Sequence, residues 1–155
     1  MSASELDSRI ERAMETFNEH DLDQHMAAFA DGATFVDPVL DGEVSGENHR
    51  RYLAEVIEAF PDIHQEVDQV LCAGDPTVIE STFRGTHEGE IEGIPPTGNS
   101  VAVPLVSIIS VSDEGITSWR DYWDQQTFRD QLGLTVPAVL GHLPRFARWK
   151  LADAL

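Results

Sequence analysis

The sequence predicts an α+β fold in which three amino-terminal helices pack on the concave face of one curved antiparallel sheet. Two observations predict this fold. Apolar residues recur with helical spacing through the first 60 residues, and the period of the pattern changes to two from residue 62 onward. The chain has 155 residues and no internal repeat or low-complexity linker, which suits one main domain. We expect that domain to cover residues 1–134 and a carboxy-terminal tail to cover residues 135–155.

Each helix is predicted from a capping signal and an apolar stripe. In the first helix the stripe has the i, i+4, i+7 spacing of one buried helix face. In the second, Asp21 and Gln24 form the capping pattern, and Gly32 marks the predicted end. The third runs from Gly46 to Pro61. The first helix is bounded at its start by Ser4 and Asp7, and its stripe consists of Leu6, Ile10, Ala13, Met14 and Phe17.

One short strand and four long strands follow from the alternation of apolar and polar residues. The short strand, residues 34–36, stops at Asp37-Pro38, because proline cannot donate to a strand ladder. The long strands are separated by turn signals at residues 74–76 and 113–115 and by a loop at 93–99. We expect Phe83 to line a substrate pocket and to share one face of its strand with Ile79, Ser81 and His87. The last strand is predicted to run from Ile116 to about Thr127.

Charge and composition exclude several classes of function. The chain has 28 Asp and Glu against 10 Lys and Arg, a formal net charge of −18, so a nucleic-acid backbone would be repelled. No window approaches the ~20 apolar residues of a membrane span, and no signal-peptide core is present. Dispersed acid with a single lysine indicates a cytoplasmic protein of a salt-accumulating halophile, because molar salt screens the repulsion. An ordinary acidic bacterial protein is the alternative.

Neither a metal nor a cofactor is predicted. Cys72 is the single cysteine, so no cysteine-based zinc cluster is possible. His20 and His25 are five residues apart and point to different sides of a helix, unlike the i, i+4 zinc pattern. A curved sheet partly covered by helices encloses a conical pocket, and such pockets host small molecules. We therefore expect a small-molecule ligand.

Three groups of residues together resemble the SnoaL-like polyketide cyclases, also called ester cyclases, of the nuclear transport factor 2-like superfamily. The resemblance covers about residues 5–134. It implies an α+β cone, often dimeric, whose founding members close a ring by intramolecular aldol condensation without a metal or a Schiff base. The residues that carry it are the segments at 17–23, 33–38 and 59–62, then 85–89 with 93–98, then Trp123-Asp124 with Gln131-Leu132-Gly133.

The resemblance implies a catalytic aspartate on the last strand, seven residues before Gln-Leu-Gly, and that position is Asp124. One carboxyl can remove a proton alpha to a carbonyl and protonate the new alkoxide if an apolar site raises its pKa. Tyr122 would supply apolar bulk beside it. Strand alternation places Asp124 with Tyr122 and Arg120, opposite Trp119, Asp121 and Trp123. Since the sequence does not show which set faces the pocket, Asp121 remains a second candidate.

His87 lies in the Gly-Thr-His motif of the resemblance. It is predicted either as a catalytic pocket histidine or as a strand-end histidine that holds the following loop. Founding members also use a Gln/His pair on the penultimate strand, where this chain has Ile108 and Ser110. That departure makes a non-catalytic small-molecule binding protein the main alternative to a cyclase-type acid/base enzyme.

Asp37 adds a further alternative, because residues 29–39 are also similar to the ketosteroid isomerases of the same superfamily. There the aspartate before the proline is the base. The enolate-binding tyrosine and acid of that family correspond to Ala13 and Val106, which disfavours steroid isomerisation. Asp37 is therefore predicted to line the pocket or to cap the turn before Pro38. Epoxide opening by Arg120, Asp121 and Asp124 is a weaker alternative.

The tail at 135–155 carries three of the ten basic residues among apolar ones. It is predicted to pack on the cone or on a second subunit, with closure of the pocket entrance as a sharper hypothesis.

Overall fold

The computed structural model describes residues 6–134 of the chain. These residues form four helices and one six-stranded sheet, which confirms the α+β prediction. The tail prediction concerns residues outside this range. The elements are α1 (Ser8–Asn18), α2 (Leu22–Ala27), β1 (Phe29–Val36), β2 (Val44–Ser45), α3 (Gly46–Ala59), β3 (His64–Cys72), β4 (Thr77–Thr86), β5 (Ser100–Ser112), β6 (Gly115–Trp123) and α4 (Gln125–Gln131).

Helix α2 begins where its capping signal predicts, whereas α1 begins at Ser8 with Asp7 as its cap, later than the start at Ser4 that the sequence indicated. The Asp7 carboxylate accepts a hydrogen bond from the Arg9 backbone N–H at 2.9 Å, and Asp21 accepts from the Gln24 N–H at 3.1 Å. Each bond satisfies a backbone donor that the first helical turn leaves without a partner. Within α1 the predicted stripe is buried, including Ile10 and Ala13 at 0% exposure, whereas Leu6 precedes the helix and is half-buried.

The second helix ends earlier than predicted. It stops at Ala27, and Gly32 lies inside β1 with φ +74°, at the point where the register between β1 and β6 shifts. Glycine adopts this positive φ without a steric penalty, so the residue serves a bulge in a strand rather than the end of a helix. The short strand predicted at 34–36 is thereby the second half of an eight-residue strand.

The sheet order is β2-β1-β6-β5-β4-β3. The four long strands, β3 to β6, pair antiparallel as predicted. Strand β1 runs parallel to β6, and β2 pairs antiparallel with β1 and forms one edge of the sheet. The β5–β6 hairpin passes very close to the α2–β1 junction. A Cβ at Gly115 would lie 2.8 Å from the Ala28 carbonyl oxygen, so only glycine permits this approach.

The last strand is shorter than predicted, because β6 ends at Trp123 and Asp124 begins α4. Helices α1 and α3 lie against the concave face of the sheet in two apolar clusters, one around Ile79, Ile109 and Trp119 and one around Phe60, Ile63 and Val103. Within residues 6–134, no helix has the length and apolar character needed to cross a bilayer. Homodimer formation stays a prediction.

Candidate active site

A cavity of about 620 Å³ opens between the concave face of the sheet and the helices. Its wall is mostly aromatic and aliphatic, and it includes Phe83, which the sequence predicts as a pocket residue. Loop 87–99 covers part of the entrance. This loop packs on the end of α3, where the Gly89 N–H donates to the Ala59 carbonyl at 3.0 Å. Apolar cavities with a few polar groups are the usual sites for small ligands.

Three alternate residues in the second half of β6 face this cavity. Trp119, Asp121 and Trp123 line it, whereas Arg120 and Tyr122 point outward and Tyr122 is 49% exposed. Because alternate residues of a strand point to opposite faces, Arg120 and Tyr122 are excluded from the cavity wall. Tyr122 therefore lies outside the pocket in which the sequence placed it, whereas Asp121, the second candidate, lies in the cavity wall.

Asp37 and Asp121 lie beside each other at the ends of two parallel strands. Phe35 pairs with Trp119 and Val36 with Arg120, so the next residues along each strand are Asp37 and Asp121. Neighbouring strands are roughly 4.8 Å apart, and alternate residues share a face. Both carboxyls line the cavity, and the charge of Asp37 acts on the pKa of Asp121.

Burial in this apolar wall raises the pKa of Asp121 to about 7. Its Oδ1 accepts hydrogen bonds from Ser107 Oγ at 2.5 Å and from Trp119 Nε1 at 2.8 Å. These bonds favour the ionised form and oppose the effect of burial, while the nearby Asp37 charge adds to it. No described residue donates to Oδ2, so this oxygen is free to carry a proton toward a ligand.

Asp37 is 6% exposed, and two N–H groups donate to its carboxylate. Trp123 Nε1 donates to Oδ2 at 3.0 Å, and the Val39 backbone N–H donates to Oδ1 at 3.1 Å. Burial raises the pKa of Asp37, while the bonds from Trp123 and Val39 and the nearby Tyr52 hydroxyl lower it. The carboxyl therefore lines the cavity, and the turn that it caps contains Pro38 and ends at Val39 rather than preceding the proline.

Tyr52 completes the set of polar side chains in the cavity, and its role was not predicted from the sequence. Burial raises the pKa of its phenol well above 10, and the charges of Asp37 and Asp121 raise it further. The hydroxyl therefore stays protonated and can donate a hydrogen bond. Tyr52 is on the inward side of α3, one turn from the buried His49 and Val56. The spacing of apolar residues along α3 indicates that Tyr52 faces inward, but it does not indicate that the hydroxyl lies near Asp37 and Asp121.

Asp124 lies outside the cavity, contrary to its prediction as the acid/base. It is exposed and caps α4, accepting hydrogen bonds from Thr127 Oγ1 at 2.6 Å and from the Thr127 N–H at 3.1 Å. The Thr127 hydroxyl and then the backbone donors of Thr127 and Gln126 lower the pKa of Asp124. A carboxyl held ionised at the surface is unsuited to general acid catalysis in a pocket.

His87 is fully buried but does not line the cavity. Its Nδ1 accepts from the Thr97 N–H at 3.1 Å, and its ring stacks on Phe60 at a centroid distance of 5.3 Å. Burial lowers the pKa of His87, so the ring is neutral. The predicted catalytic role requires a pocket position that His87 does not have. Its contacts fit the other interpretation, in which it holds loop 87–99.

Two histidines that the sequence analysis did not select line the cavity. His25 donates from Nδ1 to the Ala13 carbonyl at 2.8 Å, which leaves Nε2 as its acceptor. His49 is 1% exposed and stacks on Phe35 at 4.2 Å. Burial lowers the pKa of both rings, that of His49 to about 3. The burial of His25 and His49 could have been inferred from sequence only through the apolar residues at helical spacing around them.

No group of three or more His, Cys, Asp or Glu side chains within residues 6–134 has the arrangement of a metal site. The cavity lining includes side chains that can transfer protons, among them the carboxyls of Asp37 and Asp121, the phenol of Tyr52 and the imidazoles of His25 and His49.

Comparison with known proteins agrees with this architecture. The family model of the SnoaL-like polyketide cyclases matches residues 8–132. No functionally curated protein shows significant sequence similarity. Among solved structures, IdmH from Streptomyces antibioticus, a proposed polyketide cyclase, is 26% identical with a TM-score of 0.70; the match covers 81% of this chain and 96% of IdmH.

Two further structures share the fold at lower identity. AclR from Streptomyces galilaeus, a proposed hydroxylase, is 24% identical with a TM-score of 0.73, and the match covers 86% of this chain and 99% of AclR. A protein with a ketosteroid isomerase-like fold from Catenulispora acidiphila, solved with trimethylamine, is 21% identical with a TM-score of 0.70; the match covers 83% and 94%. The family match spans nearly all described residues, and the chain therefore belongs to the SnoaL-like polyketide cyclase family.

Proposed function

We propose that this chain is a cofactor-independent acid/base enzyme of the cyclase type, acting on a small apolar carbonyl compound. The observation that carries the proposal is the pair Asp37 and Asp121 in an apolar cavity, with the pKa of Asp121 raised to about 7. Two neighbouring carboxyls cannot both ionise easily, so one is a base and the other an acid at neutral pH. Membership of the cyclase family supports the aldol type of reaction.

The hydrogen bonds assign the two roles. Asp37 is the base, because both of its oxygens accept N–H bonds that favour the ionised form. Asp121 is the acid, because donors occupy Oδ1 and leave Oδ2 for a proton that faces the cavity. The protonated Tyr52 hydroxyl is a second donor for an oxygen that gains negative charge.

The reaction then balances without an added reagent. Asp37 removes a proton from the carbon alpha to a carbonyl, and the resulting enolate carbon forms a bond to a second carbonyl carbon of the same molecule. The oxygen of that second carbonyl receives the Asp121 proton and becomes a hydroxyl. Transfer of the proton from Asp37 to Asp121 restores the starting state. The apolar wall keeps bulk water away from the enolate.

Proton exchange tests this proposal without knowledge of the natural substrate. The probe is 1-tetralone in D₂O, and NMR follows deuterium incorporation alpha to the carbonyl. We expect wild-type protein to accelerate exchange, and Asp37→Asn and Asp121→Asn each to reduce the acceleration by about 10²–10⁴-fold. Asp124→Asn is the matched control and should retain it.

Two outcomes contradict the proposal. If Asp124→Asn abolishes exchange while the two cavity variants retain it, the acid/base is the surface aspartate. If 1-tetralone binds with no acceleration of exchange, the chain is a small-molecule binding protein, which is the main alternative. An isomerase would share the α-exchange step, and it would differ by returning the proton to another carbon instead of closing a ring.

A further inference from the structure

The cavity wall has a one-sided charge. Six carboxyl groups line it, and no described lining residue is a lysine or an arginine. The two lining histidines are neutral at physiological pH, because burial lowers the pKa of each. A carboxylate or phosphate ligand would therefore meet like charge with no compensating cation, which is strongly unfavourable in a site of low dielectric constant.

The carboxyls occupy two levels. Asp37 and Asp121 lie at the sheet, whereas the other four are exposed glutamates on α3 and loop 87–99 at the entrance. We call these four residues the entrance glutamates: Glu55, Glu58, Glu90 and Glu92. A group of like charges at the opening of a low-dielectric cavity concentrates ligands of the opposite charge there.

A second, independent observation concerns hydrogen bonding inside the cavity. His49 lines the cavity, is 1% exposed, and its Nε2 has no hydrogen-bond partner. Buried polar atoms normally have one. Because Nδ1 of His25 donates to the Ala13 carbonyl, the Nε2 of that neutral ring is also an acceptor. The rings of His25 and His49 lie next to each other, with centroids 6.0 Å apart, and the Nε2 acceptor of His25 suits a ligand with an N–H donor.

The remaining wall can hold a cation by its aromatic faces. Trp123, Phe128, Phe60 and Tyr52 line the cavity, and the indole N–H of Trp123 is already bonded to Asp37. Aromatic faces attract an ammonium group, most strongly where water is excluded. Charge, hydrogen-bond acceptors and aromatic faces therefore favour the same chemical class.

We propose that the cavity selects its ligand by charge: it takes an apolar compound that carries a protonated amine and rejects a carboxylate of the same size. The position of the carbonyl group of that compound, beside Asp37 and Asp121, rests on the proposed function. The substrate class is then an amine-bearing carbonyl compound, with the entrance glutamates as the residues that determine specificity.

Three naphthalene probes of similar size test the inference by calorimetric titration: 2-(aminomethyl)naphthalene, 2-(hydroxymethyl)naphthalene and 2-naphthoate. The measurements use pH 7 and the lowest KCl concentration at which circular dichroism shows an intact fold. We expect the amine to bind at least fivefold more tightly than the alcohol, and the carboxylate at least tenfold more weakly than the alcohol.

A pair of variants separates the effect of the entrance glutamates from the effect of the protein's overall negative charge. One carries Gln at the four entrance glutamates. The matched control carries Gln at four exposed glutamates that do not line the cavity: Glu15, Glu19, Glu66 and Glu114. The entrance variant should lose at least threefold of the amine-to-alcohol preference, while the control keeps it.

The proposal is overturned if the alcohol or the carboxylate binds as tightly as the amine, or if the two variants give the same preference. Circular dichroism checks that both variants fold. A second measurement titrates wild-type protein at increasing KCl concentration. Added salt should reduce the preference for the amine over the alcohol without weakening the binding of the alcohol. Because these experiments measure binding alone, a failure of the proposed catalysis would show separately, in the exchange assay.

Discussion

Asp37 and Asp121 each receive an indole N–H from β6, Asp37 from Trp123 and Asp121 from Trp119. The two tryptophans flank Asp121 on one strand face, so one strand supplies both donors and one of the two acids. An indole N–H can only donate, and it therefore orients each carboxyl without competing for its proton. Donors from the same strand therefore hold both carboxyls in place.

Asp121→Asn should stabilise the protein at alkaline pH. The pKa of Asp121 is about 7 in the folded protein against an ordinary value of 3.8, so the native state holds the proton more tightly. Its contribution is present below pH 4 and is lost as the pH rises to 7. The uncharged variant avoids this loss, and its melting temperature should exceed that of wild type by several degrees at pH 8.

The advantage of Asp121→Asn should disappear near pH 4. Asp124→Asn is the control, because the pKa of Asp124 is lowered rather than raised and its contribution is lost as the pH falls. An Asp121→Asn protein that is less stable than wild type at pH 8 would contradict the raised pKa.

His49→Phe should reduce the sensitivity of the protein to acid. The pKa of His49 falls from 6.5 to about 3 on folding, so the unfolded chain binds the proton first and stability declines as the pH falls from 6.5 toward 3. Phenylalanine keeps the stacking on Phe35 and does not titrate. Thermal melts at pH 6.5 and pH 4 should show a smaller decrease for the variant than for wild type.

His64→Gln is the control for this measurement, since His64 is an exposed histidine on β3. An equal acid response in the His49→Phe and His64→Gln proteins would show that burial of His49 does not govern acid stability.

Gly89→Ala should displace loop 87–99 from α3. A Cβ at this position would lie 2.5 Å from the Glu58 carbonyl oxygen, which cannot move without disturbing the helix. We expect a loss of about 1–3 kcal/mol in the free energy of unfolding by urea. Gly74→Ala is the matched control, because its Cβ would meet only Cys72 Sγ at 3.7 Å. Equal stability of the two variants would exclude this tight packing.

The melting temperature should rise with KCl up to molar concentration. The net charge is −18, and salt shortens the Debye length from ~10 Å at 0.1 M to ~3 Å at 1 M, which screens the repulsion. Sucrose at equal osmotic strength is the control, since it screens no charge. A flat response to KCl would contradict a halophilic adaptation.

The helices, the antiparallel strands and the family could be predicted from sequence because they depend on local signals. Caps at Asp7 and Asp21 satisfy backbone donors within the same turn, and alternation along β4 and β5 reflects burial of one face. The end of β6 could not be predicted this way. Asp124 continues an apparent strand pattern, and only its bonds to Thr127 show that it begins a helix.

The sequence by itself determined the fold class, the acidic surface charge and a short list of acids that included Asp37, Asp121 and Asp124. Only the tertiary structure decided among them. The parallel pairing of β1 with β6 brings together two carboxyls that are far apart in the chain, and the packing of the sheet against the helices places Trp119, Asp121 and Trp123 on the cavity side. A pKa depends on burial and on neighbouring charges, and both are properties of the folded chain.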